Sequence, residues 1–165
     1  MERKITSRIT KGVIIASLLL AANFILQKIY SPVPEGTRYL TWMTITFAGV
    51  FAGCILYSKQ SGGNLSFGDV FSHGLKTVSL VAFIMAIYTF IIYKFIQPMP
   101  NAAEMEEAVK AIEQQGNSIG ETARQQAESA AKNRWIIYVS LSIFVSLIPG
   151  MLGSLAAAAL IKKNR

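Results

Sequence analysis

The chain has little of what most catalytic sites are built from. One cysteine and one histidine occur in 165 residues. No intrachain disulfide can therefore form, and no cysteine-based metal site can be assembled within one copy. Charged residues make up only 15% of the chain, whereas 52% are hydrophobic and the mean hydropathy is +0.41. That balance is wrong for an ordinary soluble domain and right for a membrane protein. No acid lies in the middle of a long apolar run, which argues against an intramembrane proton relay or cation pathway. HExxH and GxSxG are missing, and Gly62-Gly63 with Gly68 is not followed by the Lys and Ser/Thr of a phosphate loop.

What the sequence does have is four apolar runs. The first, 12–29, follows four cations and is interrupted only near its end by Asn23, Gln27 and Lys28. A cleaved secretory signal would need small residues at its cut site, and Leu20-Ala21-Ala22-Asn23 places Leu where one is wanted; an uncleaved span is expected. The second run, 39–57, is uncharged and bounded by Tyr39, Trp42 and Tyr57, which suits aromatic belts at the two membrane surfaces. The third, 77–96, ends where Lys94 can snorkel to the headgroups. The fourth, 135–161, would measure roughly 40 Å as a helix against a hydrocarbon core of about 30 Å, so part of it must be tilted, kinked or interfacial. Pro149-Gly150 is the expected kink.

Small residues mark where helices can approach closely. Gly49 and Gly53 form a GxxxG pair in the second run, Gly150, Gly153 and Ala157 give the fourth a narrow face, and Gly74 and Pro149 are further helix-packing candidates. Ahead of the third run, Ser66-Phe67-Gly68-Asp69 reads as a capping box. The turns 66–76 are amphipathic, with Phe67 and Phe71 on the apolar side and Asp69 and His73 on the other. They are expected to lie at the interface, with Gly74 marking where the helix turns to cross.

Residues 100–133 are rich in Ala, Glu and Gln and contain no aromatic residue. A helical hairpin outside the membrane is expected there, capped at Asn101 and Ser118 and broken around Gly116 to Gly120. Its core, alanines against Met105, Val109 and Ile112, would be thin.

The net charge of +7 does not suggest nucleic acid, because the cations flank apolar runs instead of interleaving with aromatics on a polar face. With four spans, the N-terminus, the 58–76 loop and the C-terminal tail share one side. That side carries nine Lys or Arg and two acids; the other carries seven of each. The cation bias predicts both termini in the cytoplasm and the hairpin outside.

Two constellations bear on chemistry. Asp69 and His73, four apart, share a helix face, but a Zn site needs three or four ligands, and a structural or solvated His73 is expected. Asn23 and Gln27 are intramembrane polar residues one turn apart, and such groups face protein or water. No cofactor and no metal is expected.

The basic start with its first span, the second span with Gly49 and Gly53, the Leu65-Ser66-Phe67-Gly68-Asp69-Val70-Phe71 stretch with Gly74, and a helical insert before the Pro149-Gly150 span together carry a likeness. On these residues the chain resembles a family of small bacterial membrane proteins, found mainly in Bacteroidetes and catalogued only as a domain of unknown function (number 4199). The resemblance implies four transmembrane helices and brings no activity or catalytic residues. The expectation is an all-α, non-enzymatic protein of the bacterial inner membrane, a single membrane domain over 1–165. It would act in the lipid bilayer through helix packing, as a homo-oligomer or as a small subunit beside another membrane protein. The alternative is a small-solute transporter or channel component formed by oligomerisation, with Asn23, Gln27 and the Pro149-Gly150 kink lining a path. An enzyme using Asp69 and His73 is a third reading.

Overall fold

A computed structural model describes residues 7–30, 33–100, 102–114, 116 and 120–163. All regular structure among them is helical. In chain order it comprises α1 (Arg8–Ile29), α2 (Glu35–Gln60), α3 (Phe67–Ile91), a π-helical turn (Ile92–Ile96), α4 (Ala102–Gln114), α5 (Glu121–Lys132) and α6 (Arg134–Lys163). α1, α2, α6 and α3 with its π turn are long and apolar enough to cross a membrane. The chain divides into two compact units, Met1–Met85 with Ser142–Arg165, and Ala86–Leu141.

The first unit holds α1, α2, the N-terminal part of α3 and the C-terminal part of α6. The start of α1 is set by Ser7, whose side chain accepts from the Thr10 N–H at 3.1 Å. α3 starts with the reciprocal box read from the sequence: Asp69 N–H donates to Ser66 Oγ at 3.2 Å, and Ser66 N–H donates to Asp69 Oδ2 at 3.0 Å. Between α2 and α3 the backbone passes through Gly62 and Gly63 at φ 77° and 79°, a left-handed geometry that side chains other than glycine's resist.

Each helix buries one stripe. On α2 it is Trp42, Thr46, Val50, Cys54 and Ser58, every fourth residue. α1 contributes Lys11, Gly12, Ile15, Ala16, Leu19 and Asn23. The stripes meet through glycines. A Cβ on Gly49 would lie 2.9 Å from Ile15 Cγ1, one on Gly12 2.8 Å from Leu80 Cδ2, and one on Gly153 2.6 Å from the Phe47 carbonyl oxygen. Gly74 is closed in by Ser154 and Cys54, and Gly150 by Val78. α1 and α3 thus begin where α2 and α6 finish, and α2 and α3 each touch both α1 and α6.

The polarity of this unit is the reverse of a soluble bundle's. Thr46, Thr77, Ser142, Ser146 and Ser154 are buried, whereas Ile14, Leu18, Phe24, Phe83, Phe144 and Leu152 stand at least half exposed. Water would penalise such an exterior; lipid tails do not, and packing through small and hydroxyl residues is how helices associate there. Several hydroxyls bond along their own helix: Ser146 Oγ to the Ser142 carbonyl at 2.8 Å, Thr77 Oγ1 to the His73 carbonyl at 2.9 Å.

Two expected features lie within continuous helices. The turns 66–76 are the opening turns of α3 itself, whose helical pattern continues through Gly74 to Ile91. Gly74 is a close contact there, because a larger residue would collide with Ser154 and Cys54. α6 likewise continues through Pro149, which is buried.

The second unit holds the end of α3, the π turn, α4, α5 and the start of α6. Its hairpin has the thin core that composition suggested: Ala123, Ala127 and Ala131 are 0%, 3% and 7% exposed, and Met105, Val109 and Ile112 of α4 are half-buried. Glu113 Oε1 accepts from the Gly120 N–H at 3.0 Å and ties the two helices at the loop. Glu106 and Lys110 pair at 2.7 Å, and the hydrogen bond from Lys110 holds the Glu106 carboxyl below the usual carboxylate range. The expected caps Asn101 and Ser118 lie outside the described residues.

Candidate functional site

The densest group of polar and titratable side chains in the first unit gathers where α1 and α3 begin and α2 ends. Lys11 sits one turn into α1 on its buried stripe and is only 5% exposed. Its Nζ lies 3.3 Å from His73 Nε2 on α3 and 5.4 Å from the centre of the Tyr57 ring on α2. The His73 and Tyr57 rings stack, 3.9 Å between centroids and 4° between planes. One amine is thus boxed by an imidazole and a phenol ring from two other helices. An ammonium donating to a neutral imidazole at Nε2, over the face of an aromatic ring, satisfies part of its hydrogen-bonding capacity. It does not supply a counter-charge.

The floor of this group is the Gly53–Cys54–Gly74 contact. Gly53 leaves room for the Lys11 stem, whose Cδ would be 3.7 Å from a Cβ there, and Cys54, buried, points its thiol at the Val70 carbonyl at 3.7 Å. Asp69, which shares a helix face with His73, does not reach it. The carboxylate instead takes the Ser66 hydroxyl at 2.6 Å and the Ser66 N–H as cap. Phe67 and Phe71 stack on each other at 6.1 Å, with Phe67 exposed.

The glycines singled out by spacing are spent inside the chain: Gly49 on Ile15, Gly53 on Lys11, Gly74 on Ser154 and Cys54, Gly150 on Val78, Gly153 on Phe47. Ala157 is fully buried. Asn23 and Gln27, one turn apart on the same side of α1, differ in burial: Asn23 is 5% exposed, whereas Gln27, close to the end of the helix, is exposed. Pro149 faces an open apolar groove formed with Met43, Thr44, Phe47, Ile148 and Leu152.

Sequence reasoning passed over Lys11 and Tyr57, treating the first as one of several topology-setting cations and the second as an interfacial aromatic. It also passed over Arg134, the organising residue of the second unit. Arg134 donates from Nη1 to Glu104 at 3.1 Å and from Nη2 to the Gln97 carbonyl at 2.6 Å, and its guanidinium lies 5.3 Å from the Tyr93 ring centre. Tyr93 stacks on Tyr138 at 4.1 Å, and Phe90 meets Trp135 edge-on at 5.3 Å. This joins α3, the π turn, α4 and α6, a structural clasp made of residues far apart in sequence.

Among the described residues no three His, Cys, Asp or Glu side chains converge as a metal site would require. The Lys11 group thus brings a buried amine, an imidazole and a phenol ring together.

Compared with family models, residues 10–163 match the one described as Protein of unknown function (DUF4199). No curated protein and no solved structure matches the chain.

Proposed function

Because the chain belongs to the family described as Protein of unknown function (DUF4199), whose description supplies no activity, we propose its role from geometry: a non-enzymatic, multi-pass subunit of the bacterial cytoplasmic membrane that works by packing against another membrane protein. The observation that carries this reading is the filled interior of the first unit. Leu19, Val50, Val78 and Val81 are essentially inaccessible along its axis, and the glycine faces are closed by the chain's own helices. What remains for the surroundings is the lipid-facing surface. A solute path along Asn23, Gln27 and Pro149-Gly150 would have to run between copies, since Asn23 is buried, Gln27 is exposed and Val78 closes on Gly150.

The excess of cations at the Lys11 end supports a reading with both termini in the cytoplasm and the α4–α5 hairpin outside. Crosslinking in native membranes, followed by purification in mild detergent and identification of what copurifies, tests the role. A discrete partner, or a defined oligomer, supports it; monomer alone would sink it. Thiol labelling of Lys59→Cys and Lys110→Cys in a Cys54→Ser background tests orientation. Label applied from outside should reach the second and not the first.

A further inference from the structure

We infer that the Arg8, Lys11, His73 and Lys76 group is a binding site for the phosphate of an anionic phospholipid at the rim of the bundle. Lys11 is a cation removed from water, and its two neighbours, an imidazole and a phenol ring, carry no negative charge. A buried charge without a counter-charge is costly, and an anion brought to it recovers that cost. Arg8 lies one turn before Lys11 on α1, and Lys76 lies one turn beyond His73 on α3, so both are on the helix faces that bear the group. Both are exposed. Arg8, Lys11 and Lys76 are also the charges whose field reaches His73.

Among the described residues no carboxylate pairs with them: the ion pairs there are Lys110–Glu106, Arg124–Glu128 and Arg134–Glu104, and Asp69, the described acid near this end, is engaged by Ser66. The group stands where α1 and α3 start, at the height of the headgroups if these helices span. A cluster of cations between membrane helices at that level suits a lipid phosphate, with two exposed cations at the rim and a third buried below. Free phosphate has the same charge chemistry but no acyl chains to hold it at the bundle's edge. The inference rests on the helices crossing a bilayer, and on neither their orientation nor a protein partner.

The test titrates the purified full chain in neutral detergent with phosphatidylglycerol, phosphatidylcholine of the same chain length, or inorganic phosphate, and follows the melting temperature. Phosphatidylglycerol should raise it saturably, and the other two should not. At about fivefold per cation near the surface, Arg8→Gln with Lys76→Gln should weaken half-saturation by about 25-fold. Lys11→Met, which keeps the apolar stem, should weaken it by about fivefold or more. Lys59→Gln, two residues beyond Tyr57 and on another face of α2, should stay within about twofold of wild type. If Lys11→Met does not fold, the exposed double variant decides. The inference is overturned if the double variant saturates like wild type, if Lys59→Gln costs as much as it does, or if inorganic phosphate reproduces the shift.

Discussion

Glycine placement gives a graded test of how this bundle is held together. Gly153 meets the Phe47 carbonyl oxygen, which would lie 2.6 Å from an added Cβ, and that oxygen belongs to helix backbone that cannot swing aside. Gly53 meets only the flexible stem of Lys11, 3.7 Å away, an ordinary contact. Overpacking costs about 1–3 kcal/mol, and exchanging a helical Gly for Ala returns up to about 1 kcal/mol. Gly153→Ala should therefore lose about 1–2 kcal/mol, roughly 2–8 °C for a chain of this length. Gly53→Ala should melt at or slightly above wild type. Gly49→Ala, opposed by the movable Ile15 side chain at 2.9 Å, should fall between them. Cys54 is the single thiol and is buried, so a thiol-reactive fluorogenic dye in detergent reports unfolding directly. A Gly153→Ala protein as stable as wild type, or a Gly53→Ala protein as weakened as Gly153→Ala, would refute the packing described.

Three further outcomes follow from single contacts. Ser66→Ala removes the capping hydroxyl of α3 and should cost about 1 kcal/mol, seen as a lower melting temperature and faster amide exchange over Phe67 to Val70. Arg134→Ala breaks the hydrogen bonds to Glu104 and the Gln97 carbonyl; with such charge-assisted bonds worth about 1.5–3 kcal/mol, limited proteolysis between Ala102 and Lys132 should accelerate before the spans unfold. Asn23→Leu should destabilise by about 0.6–1.7 kcal/mol, the range for polar contacts inside membrane bundles, while Gln27→Leu on the lipid side should leave melting unchanged. Equal effects at the two positions would contradict their difference in burial.

The four long helices were legible because each is an apolar run of spanning length with charge at most near its end, and the α3 start was legible because Ser66 and Asp69 carry a local rule. Helix ends shifted where tertiary contact intervened. α1 extends back to Arg8 because Ser7 caps it, and α3 closes early in a π turn ahead of Pro98. Spacing identified Gly49, Gly53, Gly150 and Gly153 as contact residues, but a small-residue face does not say whether its neighbour is another chain or the next helix of the same one. Gly74 meets Ser154 and Cys54 as a packing residue would, although nothing local in the sequence distinguishes a glycine that bends from one that admits a neighbour. The Lys11–Tyr57–His73 group was beyond reach, since its members lie on three helices and each has an ordinary interfacial explanation alone. Arg134 with Glu104 and Gln97 was hidden in the same way.

The alternating sense of the helices in the first unit has an electrostatic consequence. At the Lys11 end two helices present unpaired amide hydrogens and two present unpaired carbonyls, so the partial charges of their macrodipoles offset in pairs. The field at that end is then set almost wholly by side chains, among the described residues Arg8, Lys11, Lys59 and Lys76. Backbone architecture leaves the bundle nearly neutral to inversion, and replaceable cationic side chains are left to carry any bias.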